Sequence, residues 1–490
     1  MKQLFAFFLS FLLFGTVFLT ACQNSEDKPQ DDSTITDNNS ISQDAGTAGS
    51  TEAILDVPEK SFGDRDFVIL TENYSFADFA HEETGNEAVS TAKYYQSVYV
   101  EETYDVKIEA YQSTHPITTF NNVVATDEDA FQLVIAFNQT MANAVLNGNF
   151  SKLSDVDYVD LTKPWWIEAI NESITINGET YLALGDIVAE WAITGVHMLY
   201  FNKDLLEDNG IDSDEPYRLV NEGEWTMDAL QTMAAKLSED LNGDTVMTLE
   251  DDQWGLLQSQ IQSSIFFYTG GGHVMTSGSD GYPMLDLMNA YNETLYSYIF
   301  DFDYNQDSII TTADSEEYNN LLRFIDGKAG FLSGFFTFTP ELRDSVESFD
   351  YGILPYPKYD VSKDYISWVT GGNALVGVPI NVAEEDYEFV GTVTEALSYY
   401  GYQYLRPAVY DTTLKGKLAQ DPESIKMIDL IYSSINCELG WIYTGNDGAA
   451  WFVNNLLGIK TLSYNAYYDM NIGRITAHYD KVLSILKGEV

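Results

Sequence analysis

Leu199-Tyr200-Phe201-Asn202-Lys203-Asp204-Leu205-Leu206-Glu207-Asp208-Asn209-Gly210-Ile211 opens the most informative stretch of this chain. It continues through Glu224-Trp225-Thr226-Met227-Asp228-Ala229-Leu230 and Asp240-Leu241-Asn242-Gly243-Asp244 to Asp252-Gln253-Trp254-Gly255-Leu256. Glu224–Asp240 is predicted as a helix: Thr226 can cap its first turn, and Leu230, Met233, Ala234 and Leu237 fall on one face. Asp240, Asn242 and Asp244 then stand at positions 1, 3 and 5 of a twelve-residue loop. Val246 offers its carbonyl at position 7, Thr248 a water-mediated contact at 9, and Asp251 a carboxylate at 12. Hard Ca²⁺ takes several oxygens at this spacing, so the loop is a candidate structural calcium site. Thr245 departs from the pattern, which has glycine there for a turn with positive φ. The alternative is an Asx-rich turn between helix and strand, without metal. Nothing in the stretch is a catalytic motif.

Outward from it, strands alternate with helices. Phe67–Thr71 and Gln132–Phe137 read as short buried strands, Val106–Ala110 alternates as a strand, and a helix is expected from about Asn86 to Glu102. This βαβ rhythm predicts an α/β fold with a mostly parallel sheet covered by helices. Ser173–Leu182 reads as a hairpin about Asn177-Gly178, the favoured pair for a type I′ turn. Asp421 and Pro422 open another helix, with Ile425, Ile428, Ile431, Tyr432 and Ile435 on its apolar face. There is no internal repeat.

The N-terminus reads as an export signal. Lys2 precedes an apolar run from Leu4 to Leu19, too short for a comfortable membrane span. Leu19-Thr20-Ala21-Cys22 follows, and polar residues begin directly after it. That tetrapeptide resembles the bacterial lipobox, which implies a signal peptide over 1–22, lipidation (palmitate) of Cys22, and a protein held on the outer face of the cell membrane. Residues 23–61, rich in Asn, Ser, Asp, Thr and Gln, cannot bury enough surface to offset their ordering entropy and read as a tether. Cys437 is then left without a disulfide partner, as a buried free thiol.

The remaining length of the 490-residue chain is enough for two or more domains, and 14 % aromatic residues supply large ring surfaces. Lys and Arg number 24 against 76 Asp and Glu, a formal charge of −52. That balance excludes nucleic acid, which needs basic patches for phosphate, and leaves membranes reachable only through the lipid.

Several stretches in order resemble the family 1 extracellular solute-binding proteins of carbohydrate ABC importers. They are Asp160–Trp166, Leu199–Ile211, Phe324–Phe336 with Gly327-Lys328-Ala329 inside, Gly352–Lys358, Trp368–Pro379, and Pro407–Ile431 with Thr413-Leu414-Lys415-Gly416-Lys417. The resemblance implies a two-lobe periplasmic-binding-protein-like α/β fold with hinge-crossing strands. On that reading 62–192 and 371–420 form the first lobe, and 193–370 and 421–490 the second. It implies a monomer that captures a sugar or oligosaccharide between the lobes and delivers it to the transmembrane subunits of an ABC permease. The aspartate closing the Asp240–Asp251 loop is similar to dockerin loops rather than to classical EF-hands.

Ligands of open α/β sheets bind beyond the carboxyl ends of strands. Glu72, Asn138 and Gln139 stand at such ends, and Asn373 follows the glycines of the crossing. A sugar also needs flat aromatic faces for its C–H side. Trp165, Trp166, Phe335, Trp368 and Trp441 are the candidates, Trp368 and Trp441 because they flank glycine-bearing turns. The competing role for each ring is core packing, which is assigned to Trp191, Trp225, Trp254 and Trp451. Enzyme motifs are missing: there is no Gly-x-Ser-x-Gly, no His-Glu-x-x-His, no phosphate loop and no zinc spacing. A surface glycosidase would need two carboxylates at the right separation; it and a non-transport sensing or adhesion lipoprotein are the alternatives. The sequence points to a binder, not an enzyme.

Overall fold

The computed structural model describes residues 53–72, 88–369, 374–444, 448–460 and 463–489, and the chain from residue 55 onward is one compact unit. Cys22 and Asn373 lie outside the described residues. No helix of the described residues is long and apolar enough to cross a membrane. At the end of the expected tether Lys60 pairs with Glu388, and just beyond it Phe62 meets Phe389 edge-on with ring centroids 5.0 Å apart.

Thirteen strands are described, numbered in chain order: β1 Arg65–Glu72, β2 Val106–Ser113, β3 Leu133–Phe137, β4 His197–Asn202, β5 Trp254–Ser259, β6 Met275–Ser277, β7 Pro283–Leu285, β8 Ile309–Thr312, β9 Ala329–Phe335, β10 Tyr351–Leu354, β11 Ser367–Trp368, β12 Ala374–Gly377 and β13 Ile435–Asn436. Two sheets dominate. The first has the order β12-β3-β1-β2. Its strands β1, β2 and β3 run parallel, and β12 returns antiparallel with Ala374 opposite Phe137. The second has the order β10-β4-β9-β5-β8. There β5 runs parallel to β8 and β9, while β4 lies antiparallel to β9 and β10. The apolar runs of the sequence explain this placement: β4 and β5 are buried along their whole length, as central strands covered on both faces must be. The molecule is therefore a two-lobe α/β protein with mixed sheets.

The signature stretch opens with β4 and a short helix, Lys203–Asp208. Asn202 Oδ1 accepts the Leu205 N–H at 2.9 Å to start that helix, and Gly210 at φ +71° follows its end. The next predicted helix spans Met227–Leu237, with Thr226 Oγ1 accepting the Ala229 N–H. It stops short of Asp240 because Ser238 turns extended and Glu239 pairs with Gln253. The helix after Asp421 runs Pro422–Ser433, and Ile435 leaves it for β13. The expected hairpin is a correction. Helix Glu168–Ser173 takes only Ser173 of its first strand, Ile174 and Thr175 form no ladder, and one bridge, Ile176 to Glu179, remains around the turn. The turn itself is as read, with Asn177 at φ +50° and Gly178 at φ +80°.

The chain passes between the lobes near Val196 and Val369, which face each other in an isolated antiparallel bridge. β11, just before that crossing, pairs parallel with β13. The carboxyl ends of β1 and β3 and those of β5, β8 and β9 thus border the region where the crossings lie.

Candidate ligand-binding site

The first-lobe side is built from strand ends. Glu72 closes β1, and its carboxylate accepts the N–H of Phe137 at the end of β3. Burial nevertheless pushes the Glu72 carboxyl up to about 7. Asn138 begins the helix Asn138–Leu146; it is buried and its Oδ1 has no partner. Gln139 reaches across, donating from Nε2 to the Trp441 carbonyl at 3.0 Å.

The second-lobe side is aromatic. Trp368 stacks on Tyr268 with ring centroids 4.3 Å apart and planes 11° from parallel. Trp441 stands edge-on to both, at 6.2 and 5.5 Å, and meets Trp451 at 5.0 Å. Tyr268 is fixed by donating its hydroxyl to the Ala450 carbonyl at 2.9 Å. The indole Nε1 atoms of Trp368, Trp441 and Trp451 are all buried without an acceptor. Buried N–H donors are rarely left unmade in a finished structure, because each forfeits its hydrogen bonds to water. Trp368, Trp441 and Trp451 place three such N–H groups in one aromatic cluster. Phe335 ends β9 opposite His197 of β4. Its ring lies 4.3 Å from His197, whose two ring nitrogens are also unpartnered. Burial pulls the His197 imidazole down to about 3, so it is neutral.

The structure thus joins Gln139 to Trp441, packs Trp441 against Trp368, and sets Glu72 and Asn138 at the neighbouring ends of β1 and β3, while Phe335 packs on His197. Trp165 and Trp166 do not join them, which corrects the expectation that they face ligand. Both rings are core. Their indole N–H groups donate to the two oxygens of Glu395, at 2.8 and 3.1 Å, from within the first lobe. Burial raises the Glu395 carboxyl to about 7 against the pull of those two donors. Tyr268 and Trp451 were missed by sequence reasoning. Tyr268 sits in the apolar helix Gln260–Thr269, and its one sequence hint is the Gly270-Gly271-Gly272 turn that follows. Trp451 carries no comparable signal. Trp225 and Trp254 are core as read, with their N–H groups on the Pro355 and Thr248 carbonyls.

The Asp240 loop has the backbone its pattern asks for: Thr245 adopts φ +68°, the conformation that favours glycine. Its closing acid is a correction. Asp251 is exposed, while Asp252 folds in, accepting the N–H groups of Leu241 at 3.0 Å and Thr248 at 2.7 Å. Asp240 takes the N–H groups of Gly243 and Thr245, Asn242 that of Asp244, and Asp244 that of Val246, itself exposed. Among the described residues no group of three or more His, Cys, Asp or Glu stands together to hold a metal. These hydrogen bonds close the loop.

No protein-family model and no curated protein matches the chain. Solved structures do match. UspC from M. tuberculosis has a TM-score of 0.55 at 14 % identity, covering 84 % of this chain and 100 % of its own. The GacH receptor of Streptomyces glaucescens, solved unliganded and with acarbose, has 0.53 at 16 %, covering 86 % and 99 %. An ABC transporter solute-binding protein from Thermotoga lettingae, bound with α-D-tagatose, has 0.52 at 13 %, covering 86 % and 100 %. The fold of this chain is the two-lobe fold of ABC transporter solute-binding proteins.

Proposed function

We propose that this chain is a family 1 solute-binding protein, lipid-anchored through Cys22 on the outer face of the membrane. It captures a sugar or oligosaccharide between its lobes and presents the closed form to the transmembrane subunits of an ABC permease, without chemistry of its own. The observation that carries the reading is the aromatic set Tyr268, Trp368, Trp441 and Trp451 with its three unpartnered indole N–H groups, which Gln139 of the first lobe reaches through the Trp441 carbonyl. Ring faces and fixed donors are what a pyranose needs, since it presents C–H faces and hydroxyls together. Binding proteins for sugars share the fold, which supports this ligand class. Calorimetry of the purified protein against a broad glycan panel should give micromolar or tighter binding to at least one oligosaccharide, recovered unaltered by chromatography. Silence across the panel would sink the sugar assignment, and cleaved product would favour a glycosidase.

Calcium at the Asp240 loop is a separate proposal, structural in role. Asp240, Asn242 and Asp244 would supply side-chain oxygens and Val246 its carbonyl. An ion bound to the native state alone at a hundredfold excess over its Kd adds about 2.7 kcal/mol. A chelator should then lower Tm by a few degrees, and an unchanged Tm leaves the hydrogen bonds as the whole account.

A further inference from the structure

The Asn177-Gly178 turn belongs to the first lobe. Lys152 pairs with Glu179, the Leu153 N–H donates to the Thr180 carbonyl, and Ala183 is bridged to Val376 of β12. The turn at residues 278–282 belongs to the second. It joins β6 to β7, Lys487 pairs with Asp280, and the Tyr479 hydroxyl donates to the Pro283 carbonyl at 2.9 Å, both from the helix region at the C-terminus. These two exposed turns touch. The Asn177 N–H donates to the Gly281 carbonyl at 2.8 Å, and Asn177 Nδ2 donates to the Tyr282 hydroxyl at 3.2 Å.

Each turn is shaped for the meeting. Ile176 and Glu179 close the first turn by exchanging their own N–H and carbonyl groups, which leaves the Asn177 N–H pointing outward. Gly281 has φ +78°, and a Cβ there would lie 3.1 Å from Asn177 Cα, so only glycine fits without displacement. The Gln139 contact to the Trp441 carbonyl bridges the same two lobes at the buried aromatic set, whereas this one bridges them at the surface.

We propose that these turns form a rim latch, a pair of interlobe hydrogen bonds that holds the cleft closed and must release before it opens. The latch rests on the two-lobe capture reading, but its test needs no ligand. In Gly281→Ala, whose methyl group would press on Asn177 Cα, small-angle X-ray scattering of the unliganded protein should read a larger radius of gyration than the parent. Asn177→Gly, which keeps the positive φ of the turn, and Tyr282→Phe each delete the side-chain bond at partly or fully exposed sites and should shift the unliganded protein the same way. An unchanged radius in all three folded variants would overturn the latch. Scattering reads lobe separation directly, so a failed glycan screen and a failed latch are distinguishable.

Discussion

Trp441→Ala is expected to abolish ligand capture and to cost about 3–5 kcal/mol of stability. The ring is fully buried and touches Tyr268, Trp368 and Trp451 together, while its carbonyl holds Gln139 of the other lobe. Removing it leaves a cavity at the place where both lobes meet. A folding loss and a binding loss must be told apart, and Trp441→Phe does so. Phenylalanine keeps a flat ring and most of the packing but deletes the unpartnered Nε1–H. If that N–H meets a ligand hydroxyl, binding should weaken by about tenfold, the worth of roughly 1.4 kcal/mol. Thermal melts beside calorimetry check both. Unaltered affinity in Trp441→Phe would show that the indole N–H is not a ligand donor.

The second large effect is on pH. Burial raises the carboxyls of Glu72, Asp303 and Glu395 to about 7 and those of Glu317 and Glu438 to about 8. Unfolded, each returns to the ordinary carboxylate range near 4. Between that range and pH 8 the native state holds more protons than the unfolded chain, so stability falls as pH rises. Asp186 is left out because the Arg406 guanidinium beside it opposes its burial. The repulsion among 76 acidic residues acts in the same direction. Tm should therefore be highest near pH 5 and drop by roughly 5–10 °C by pH 8. A melting temperature that is flat or rising over that window would contradict the assignment of these acids as buried and proton-holding.

The fold was largely legible because its strands are short apolar runs and its helices carry local caps. Thr226, Asn202 and Asp421 each accept the N–H three residues on, a signal contained in a few neighbouring residues. The site was legible only in part, since it depends on residues far apart in the chain. Trp368 and Trp441 stood out by their glycine-bearing turns. Trp165 and Trp166 lack that signal, and Glu395, on a helix more than two hundred residues away, takes both of their N–H groups. Tyr268 sits in a helix that is buried all round, where no periodicity distinguishes a ligand-facing ring from a packed one. The hairpin expected about Asn177 shortened to its turn and one bridge, because its return segment pairs elsewhere: the Thr180 carbonyl accepts the Leu153 N–H and Ala183 bridges Val376 of β12.

The central claim is that ligand meets the cluster of Trp368, Trp441 and Trp451 and leaves Trp165 and Trp166 untouched. The chain has eight tryptophans, so indole N–H resonances of tryptophan-labelled protein can be followed one by one as an oligosaccharide chosen by calorimetry is added. The account predicts large shifts at Trp368, Trp441 and Trp451, whose N–H groups lack acceptors, and none at Trp165 and Trp166, which are held by Glu395. Shifts at Trp165 and Trp166 with the other three silent would contradict it.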